Sequence, residues 1–211
     1  MTGGDGGRLV VAKLGGSYAG SPLLRPWVRA VEAAAGRVVL VPGGGPFADA
    51  VRDAQAAMGL DDEAADAMAM LAMAQFGLAL GSLGTALATA ESADAIRAAL
   101  GAKQVPVWAP LAMARAEADL PRTWEVTSDS LALWLARRLG AGALLLIKPA
   151  RSGGGAVVDA YFSRLHAAYP CPVLVAGPGD LPTAGLDPDR LPGTRLATPG
   201  GACPATLDER R

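Results

Sequence analysis

The sequence contains few of the residues that build metal clusters and disulfide frameworks. Its 211 residues include two cysteines, Cys171 and Cys203, and a single histidine, His166. Two cysteines outside any C-x-x-C pair do not make a disulfide framework, so we expect a reduced, cytoplasmic setting. One histidine cannot form a zinc-type cluster, and on a helical pattern it is more often a packing or surface residue than a catalyst. We therefore predict no metal site built from protein side chains.

The chain also has no large excess of positive or of negative charge. The 19 Lys and Arg residues and 20 Asp and Glu residues give a formal net charge of −1. A nucleic-acid-binding protein would carry a basic face, so we expect no nucleic-acid partner. An anionic small molecule would have to be held by local features of the chain. The Gly-rich start, residues 1–7, lacks the basic and apolar regions of a signal peptide.

Charged residues are absent from residues 67–90, a stretch long enough to span a membrane. Glycine and polar residues such as Gln75 and Thr85 dilute its apolar content, and no Lys/Arg cluster flanks it. We predict a buried helix, a turn and a short strand here, and no membrane partner.

Strand patterns and helix patterns alternate along the chain. Continuous apolar runs such as Val38–Val41 and Leu144–Ile147 are typical of buried parallel strands. The alternation predicts an α/β fold in which helices cover both faces of a mainly parallel sheet. We expect one domain over residues 1–211, with a loose tail at 200–211. The predicted strands are 8–14, 37–41, 85–89, 105–108, 143–147, 172–176 and 194–197. The predicted helices are 22–35, 46–58, 62–80, 92–101, 128–139 and 158–169. No secondary structure is predicted for residues 111–121.

Two lysines stand at the ends of predicted buried strands. Lys13 closes the first strand, and Lys148 follows the most apolar one. Parallel sheets bind ligands beyond the carboxyl ends of their strands, so both lysines are expected in one site. A lysine there would be costly unless it reached an anion, although a lysine that snorkels to the surface is the alternative.

Two glycine-rich loops follow predicted strands. Gly15-Gly16-Ser17 comes after the first strand, and Gly43-Gly44-Gly45 joins the second strand to a helix. Free N–H groups at such a helix start favour a phosphate, although a tight turn is the alternative. Neither loop is a Walker A or a G-x-G-x-x-G motif, which disfavours a nicotinamide-dependent oxidoreductase.

A third motif, Thr127-Ser128-Asp129, opens a predicted helix. Thr127 or Ser128 suits the N-cap and an acid suits the first turn, which explains the segment without any function. The functional interpretation is that Asp129 points into the site and orients a lysine. Asp49 and Arg52, at i and i+3 on one predicted helix, are spaced to pair with each other.

These motifs, in this order and together with Gly193-Thr194, resemble the amino acid kinase family over Leu9 to Ala197. The resemblance implies an open α/β/α sandwich, ATP as phosphoryl donor and Mg²⁺ carried with the nucleotide. In that frame the two lysines neutralise charge on the transferring group, since phosphoryl transfer asks for positioning and charge. The residues expected to be catalytic are Lys13, Asp129 and Lys148. Those expected to bind the nucleotide are Lys13, Gly15, Gly16, Ser17, Lys148, Ser152, Gly153 and Gly154. Those expected to bind the acceptor are Gly43, Gly44, Gly45, Asp49, Arg52, Asp66, Thr127 and Ser128.

Within the family, the strings Val41–Arg52, Trp124–Ala136 and Val157–Phe162 are similar to the aminomethylfuran-methyl phosphate kinase branch. This implies that an amine-bearing furan methyl phosphate becomes a diphosphate in one-carbon cofactor (methanofuran-type) biosynthesis. A small-molecule acceptor and a homo-oligomer are expected. Two departures are residues 149–155, which replace an Asp-Gly loop, and the lack of a histidine near Asp66. The alternatives are a kinase of another small phosphate or carboxylate, and a non-catalytic nucleotide- or anion-binding protein.

Overall fold

The computed structural model describes residues 7–149, 158–168 and 171–197. Strands and helices alternate along them as the sequence predicts. The strands are β1 (Val10–Leu14), β2 (Val38–Pro42), β3 (Leu87–Ala90), β4 (Val105–Trp108), β5 (Ala143–Ile147), β6 (Val173–Ala176) and β7 (Thr194–Arg195). The helices are α1 (Leu24–Glu32), α2 (Gly45–Met58), α3 (Asp62–Gly81), α4 (Ala93–Gly101), α5 (Leu111–Arg115), α6 (Ser128–Leu139) and α7 (Phe162–Ala168), with 3-10 turns at Gly16–Tyr18 and Pro178–Asp180.

The strands form one sheet in the order β3-β4-β2-β1-β5-β6-β7. Every neighbouring pair is parallel except β6 and β7, which are antiparallel. The prediction of a mainly parallel α/β sheet is therefore confirmed. β1 is central, and Lys13 pairs in register with Val41 of β2 and Leu146 of β5. The carboxyl ends of β1, β2 and β5 consequently meet at one edge.

Alternate side chains of the central strand enter two separate cores. Val11 packs in one core with residues of α4 and α6, whereas Val10, Ala12 and Leu14 pack in the other with residues of α1. Because both faces of the strand are covered, every residue of β1 and β5 is buried. This explains the continuous apolar runs in the sequence, since a strand with one wet face would alternate.

Several helix ends follow from local capping chemistry. Asp61 accepts a hydrogen bond from the Ala64 N–H, and Ser92 accepts one from the Ala95 N–H. Gly140 ends α6 in the left-handed region, at φ +64°, which glycine adopts without strain. These predicted boundaries are confirmed.

Helix α3 is long and apolar enough to cross a membrane, by length and composition alone. One side of it packs on α2 through Ala65 and Ala72, and on the sheet through Met70, Met73 and Phe76. On the other side Leu71 is 47% exposed and Leu78 is 63% exposed. The helix, turn and strand predicted here are confirmed, but the prediction of a buried helix is right for one side only.

Two segments differ clearly from the prediction. The undefined segment 111–121 contains α5, a single short helix after Pro110. Helix α7 begins at Phe162 and not near Val158, because the side chain of Asp159 accepts a hydrogen bond from the Phe162 N–H and starts the helix there. The predicted tail, residues 200–211, lies outside the described residues.

Candidate active site

Lys13, Asp129 and Lys148 form one ion-paired group. Lys13 Nζ lies 3.0 Å from Asp129 Oδ1, and Lys148 Nζ donates to Asp129 Oδ2 at 2.5 Å. Lys13 is 6% exposed and Asp129 is 5% exposed. The structure thus brings together the three residues expected to be catalytic, from β1, α6 and the end of β5.

The group holds two positive charges against one negative charge. Burial raises the pKa of Asp129, but the ammonium groups of Lys13 and Lys148 outweigh it, so the pKa lies below its ordinary value. Burial lowers the pKa of Lys148, and the Asp129 carboxylate offsets this only in part. A surplus positive charge in a buried place is costly, and a bound anion would relieve that cost. The arrangement suits a site for phosphate.

Backbone bonds fix the end of β5 beside the first glycine loop. The Gly15 N–H donates to the Ile147 carbonyl at 2.9 Å, and the Lys148 N–H donates to the Ala176 carbonyl at 2.9 Å. The buried Tyr18 hydroxyl donates to the Lys148 carbonyl at 3.1 Å. Lys148 therefore has its main chain fixed from two sides, which leaves its side chain to reach Asp129.

The two glycine loops touch each other through their backbones. A Cβ placed on Gly16 would lie 2.0 Å from the Gly45 nitrogen, and one on Gly43 would lie 2.4 Å from the Gly16 nitrogen. Such distances leave no room for any side chain at Gly16 or Gly43. The glycines at these two positions are thus required by the close approach of the loops.

The start of α2 presents unused backbone donors. No side chain caps it: Gly44 occupies the N-cap, Gly45 follows at φ +55°, and Pro46 stands in the first turn. The first N–H groups of a helix have no partner within the helix and lie at the positive end of its dipole. The Gly43 N–H is not among these donors, because it donates to the Leu14 carbonyl at 2.8 Å. The donors that remain at the helix start suit a phosphate group, and phosphate binding by Gly43–Gly45 stays a prediction.

A cavity of about 660 Å³ opens beside both loops. All eight residues expected to bind the acceptor line it, together with Gly16 and Ser17 of the nucleotide set. The other lining side chains are mostly apolar, and the sequence reasoning missed them. The missed lining residues include Met70, Met73, Trp124, Val126 and Leu131.

Asp66 brings a carboxylate to this cavity from α3. It is half-buried, and within the described part of the chain no group donates a hydrogen bond to it. Burial raises its pKa, while the guanidinium groups of Arg122 and Arg115 act in the opposite direction. Asp66 therefore does not merely face solvent, and its carboxylate is available to a ligand.

Asp49 is already engaged by a neighbour. Arg52 Nη1 donates to Asp49 Oδ1 at 2.6 Å, and the Arg52 guanidinium lies over the Trp124 ring, 4.5 Å from its centroid. Trp124 Nε1 in turn donates to Gln55 Oε1 at 2.6 Å. The pairing expected from the i, i+3 spacing is present, so Asp49 and Arg52 form part of the cavity wall as a neutral pair.

Asp159 ties the start of α6 to the segment before α7. Its Oδ2 accepts from the Thr127 N–H, the Thr127 hydroxyl and the Ser130 N–H, at 3.0, 2.8 and 3.1 Å. Its Oδ1 accepts from the Ser130 hydroxyl and the Phe162 N–H. Thr127 is the N-cap, as predicted, but its own bond to the Asp129 N–H is long, at 3.4 Å. Sequence reasoning assigned Asp159 no role, although an acid three residues before a helix is a recognisable capping signal.

The remaining sequence predictions have a plain outcome. Ser152, Gly153 and Gly154 lie outside the described residues. His166 is buried against Phe162, which agrees with a packing role. Across the three described ranges, no group of three or more His, Cys, Asp or Glu side chains is placed to hold a metal ion.

Comparison with known proteins gives one family and one fold. The model of the amino acid kinase family matches residues 8–149. A [5-(aminomethyl)furan-3-yl]methyl phosphate kinase from Methanocaldococcus jannaschii is 25% identical over 131 residues. That match covers 61% of this chain and 60% of the relative's length.

Solved structures of uridylate (UMP) kinases have a similar fold. The enzyme from Archaeoglobus fulgidus has a TM-score of 0.64 and 16% identity, covering 90% of this chain and 100% of that chain. The Ureaplasma parvum enzyme has a TM-score of 0.64 and 19% identity, covering 83% and 92%. The Bacillus anthracis enzyme has a TM-score of 0.61 and 16% identity, covering 89% and 94%. At these identities the likeness shows the fold alone.

Proposed function

Because this chain belongs to the amino acid kinase family, we propose that it transfers a phosphoryl group from ATP to the phosphate of a small acceptor. The family model confirms the predicted family, and the structural neighbours confirm the predicted fold. The phosphotransferase activity is itself part of the proposal and is supported by membership of this family. The proposal also includes ATP as the donor, the identity of the acceptor, a cytoplasmic location and a homo-oligomeric state.

The ion-paired group of Lys13, Asp129 and Lys148 carries this proposal. In the reaction an oxygen of the acceptor phosphate bonds to the γ-phosphorus of ATP, and the bond from that phosphorus to the β–γ bridging oxygen breaks. The two ammonium groups would stabilise the charge on the transferring group, with Asp129 fixing both. The N–H groups at the start of α2 would hold the acceptor phosphate in line. Mg²⁺, carried with the nucleotide, would supply further charge neutralisation.

The cavity supports an acceptor that has a ring and an amine. Met70, Met73 and Trp124 offer apolar and aromatic surface of the kind that holds a small planar ring. Asp66, to which no group in the described ranges donates a hydrogen bond, is suited to an ammonium group. The similarity to the aminomethylfuran-methyl phosphate kinase branch points to the same chemistry. We therefore propose an amine-bearing furan methyl phosphate as the acceptor, converted to its diphosphate in the biosynthesis of a methanofuran-type cofactor.

A parallel assay tests the acceptor. The full chain is incubated with ATP and Mg²⁺ and one of four acceptors: aminomethylfuran-methyl phosphate, UMP, isopentenyl phosphate or acetylglutamate. We expect product only from the first. Efficient turnover of any other acceptor would refute the amine-bearing acceptor and leave the kinase proposal in place. Binding of ATP without turnover of any acceptor would instead support a non-catalytic nucleotide-binding protein.

A further inference from the structure

Among the described residues, Asp159 accepts an unusually large number of hydrogen bonds for a carboxylate close to the ion-paired group. It accepts five hydrogen bonds from Thr127, Ser130 and Phe162. Three of the five donors are backbone N–H groups, and two of those belong to the start of α6. A side chain that lies 29 to 32 residues away along the chain thus caps this helix.

The capped turn is the one that carries Asp129. Asp129 lies between Thr127 and Ser130, the two residues that Asp159 holds, and its carboxylate contacts both lysines. Movement of this turn would change both ion-pair distances at once. We propose that Asp159 is a positioning residue for phosphoryl transfer, holding the first turn of α6 so that Asp129 stays between Lys13 and Lys148. The proposal rests on the kinase function proposed above.

The charge of Asp159 also reaches the site. The charged groups that act on the Lys148 ammonium include Asp129 of α6, Lys13 of β1 and Asp159 itself. Burial and Lys13 lower the pKa of Lys148, whereas both carboxylates raise it. Removing the Asp159 charge should therefore lower that pKa further, so that Lys148 loses its proton at a lower pH. A helix cap too far from Lys148 for its charge to act there would leave this titration unchanged.

The chain offers a clean way to observe the titration. It contains three lysines, Lys13, Lys103 and Lys148, of which Lys103 is exposed. In protein labelled with ¹³C at lysine Cε, NMR titration follows each signal, and Lys148→Arg assigns one. In Asp159→Asn we expect the Lys148 signal to titrate at lower pH, with the signal of the exposed Lys103 as the internal reference. This measurement needs no turnover, so it remains decisive even if none of the four acceptors is phosphorylated.

Kinetics provide the second readout. We expect Asp159→Asn to lower kcat by about 10- to 100-fold, as for a small displacement of catalytic groups, and to move the alkaline limb of the kcat profile to lower pH. Ser130→Ala is the matched control, because it removes one donor to Asp159 and keeps the charge. It should lower kcat severalfold, with KM nearly unchanged and the Lys148 titration in place.

Two outcomes would overturn the proposal. In the first, Asp159→Asn loses thermal stability but keeps the wild-type kcat, alkaline limb and Lys148 titration, which would leave Asp159 as a structural cap. The second outcome concerns the case in which Asp159→Asn does not fold. If Ser130→Ala then keeps the wild-type kcat, the positioning role of Asp159 is refuted.

Discussion

Replacing Gly16 with alanine tests whether the contact between the two glycine loops sets the geometry of the site. The added Cβ would lie 2.0 Å from the Gly45 nitrogen and 2.4 Å from its Cα. Ordinary contacts begin at 3.4 Å, so the loops must separate by about 1.4 Å. Both obstructing atoms are backbone, and no side chain can rotate away to make room.

The size of the effect follows from that separation. Gly16 is part of the loop expected to bind the nucleotide, and Gly45 opens the helix whose N–H groups would hold the acceptor phosphate. Moving one loop by more than 1 Å misaligns donor and acceptor, and a displacement of about 1 Å can cost on the order of 100-fold in rate. Overpacking of this kind also lowers the free energy of unfolding by about 1–3 kcal/mol. We therefore expect a folded, less stable protein whose kcat falls about 100-fold.

Two measurements check this expectation. Thermal melting reports the change in stability, and an assay of ADP release with the preferred acceptor reports kcat. Gly101→Ala serves as the control, since its Cβ would meet nothing within 4 Å and Gly101 ends α4, away from the cavity lining. The control should keep the wild-type kcat. The reasoning would be refuted if Gly16→Ala also kept the wild-type kcat at a normal melting temperature.

Two further predictions concern the charged groups. Lys13→Ala should lower kcat far more than it weakens ATP binding measured by calorimetry, because the charge of Lys13 counts most in the transition state. Equal losses in kcat and in ATP affinity would show that Lys13 is only a ground-state contact. Asp66→Asn should raise KM for the amine-bearing acceptor and leave ATP affinity unchanged. Because burial raises the pKa of Asp66, the wild-type kcat/KM for that acceptor should fall as the pH drops through the raised pKa, and this dependence should vanish in the variant. An unchanged KM would exclude Asp66 from the acceptor site.

Much of the fold could be predicted because its signals are local. A strand covered on both faces is apolar nearly throughout, so β5 and, apart from Lys13, β1 stand out in the sequence. Ser92 and Gly140 mark helix ends through their own side chain or backbone freedom. The short helix α5 was missed because five residues give no usable periodicity.

The site was predictable only where the strand ends determine it. Lys13 and Lys148 follow apolar strands, so a parallel sheet brings them to one edge. The contact of Gly16 with Gly45 depends on β1 and β2 being neighbours in the sheet. The hydrogen bonds from the start of α6 to Asp159 depend on the segment before α7 lying next to α6. Neither leaves a pattern within a few residues. For the same reason the position of Trp124 in the cavity lining could not be predicted from the sequence.

The central position of β1 has a consequence for folding. Val10 pairs with Val38 on one side and with Ala143 on the other. On the ribosome, β2 emerges soon after β1, but the opposite edge of β1 has to wait for the last third of the chain. Until then β1, which is apolar except for Lys13, keeps unpaired backbone groups on that edge, which favours aggregation, and long-range parallel pairing is slow. Lys13 also lacks Asp129 for most of this interval. Pairing of β1 with β5 therefore completes the centre of the sheet and brings the site residues together in one late step. A chain truncated before β5 should be captured by chaperones and should not bind nucleotide.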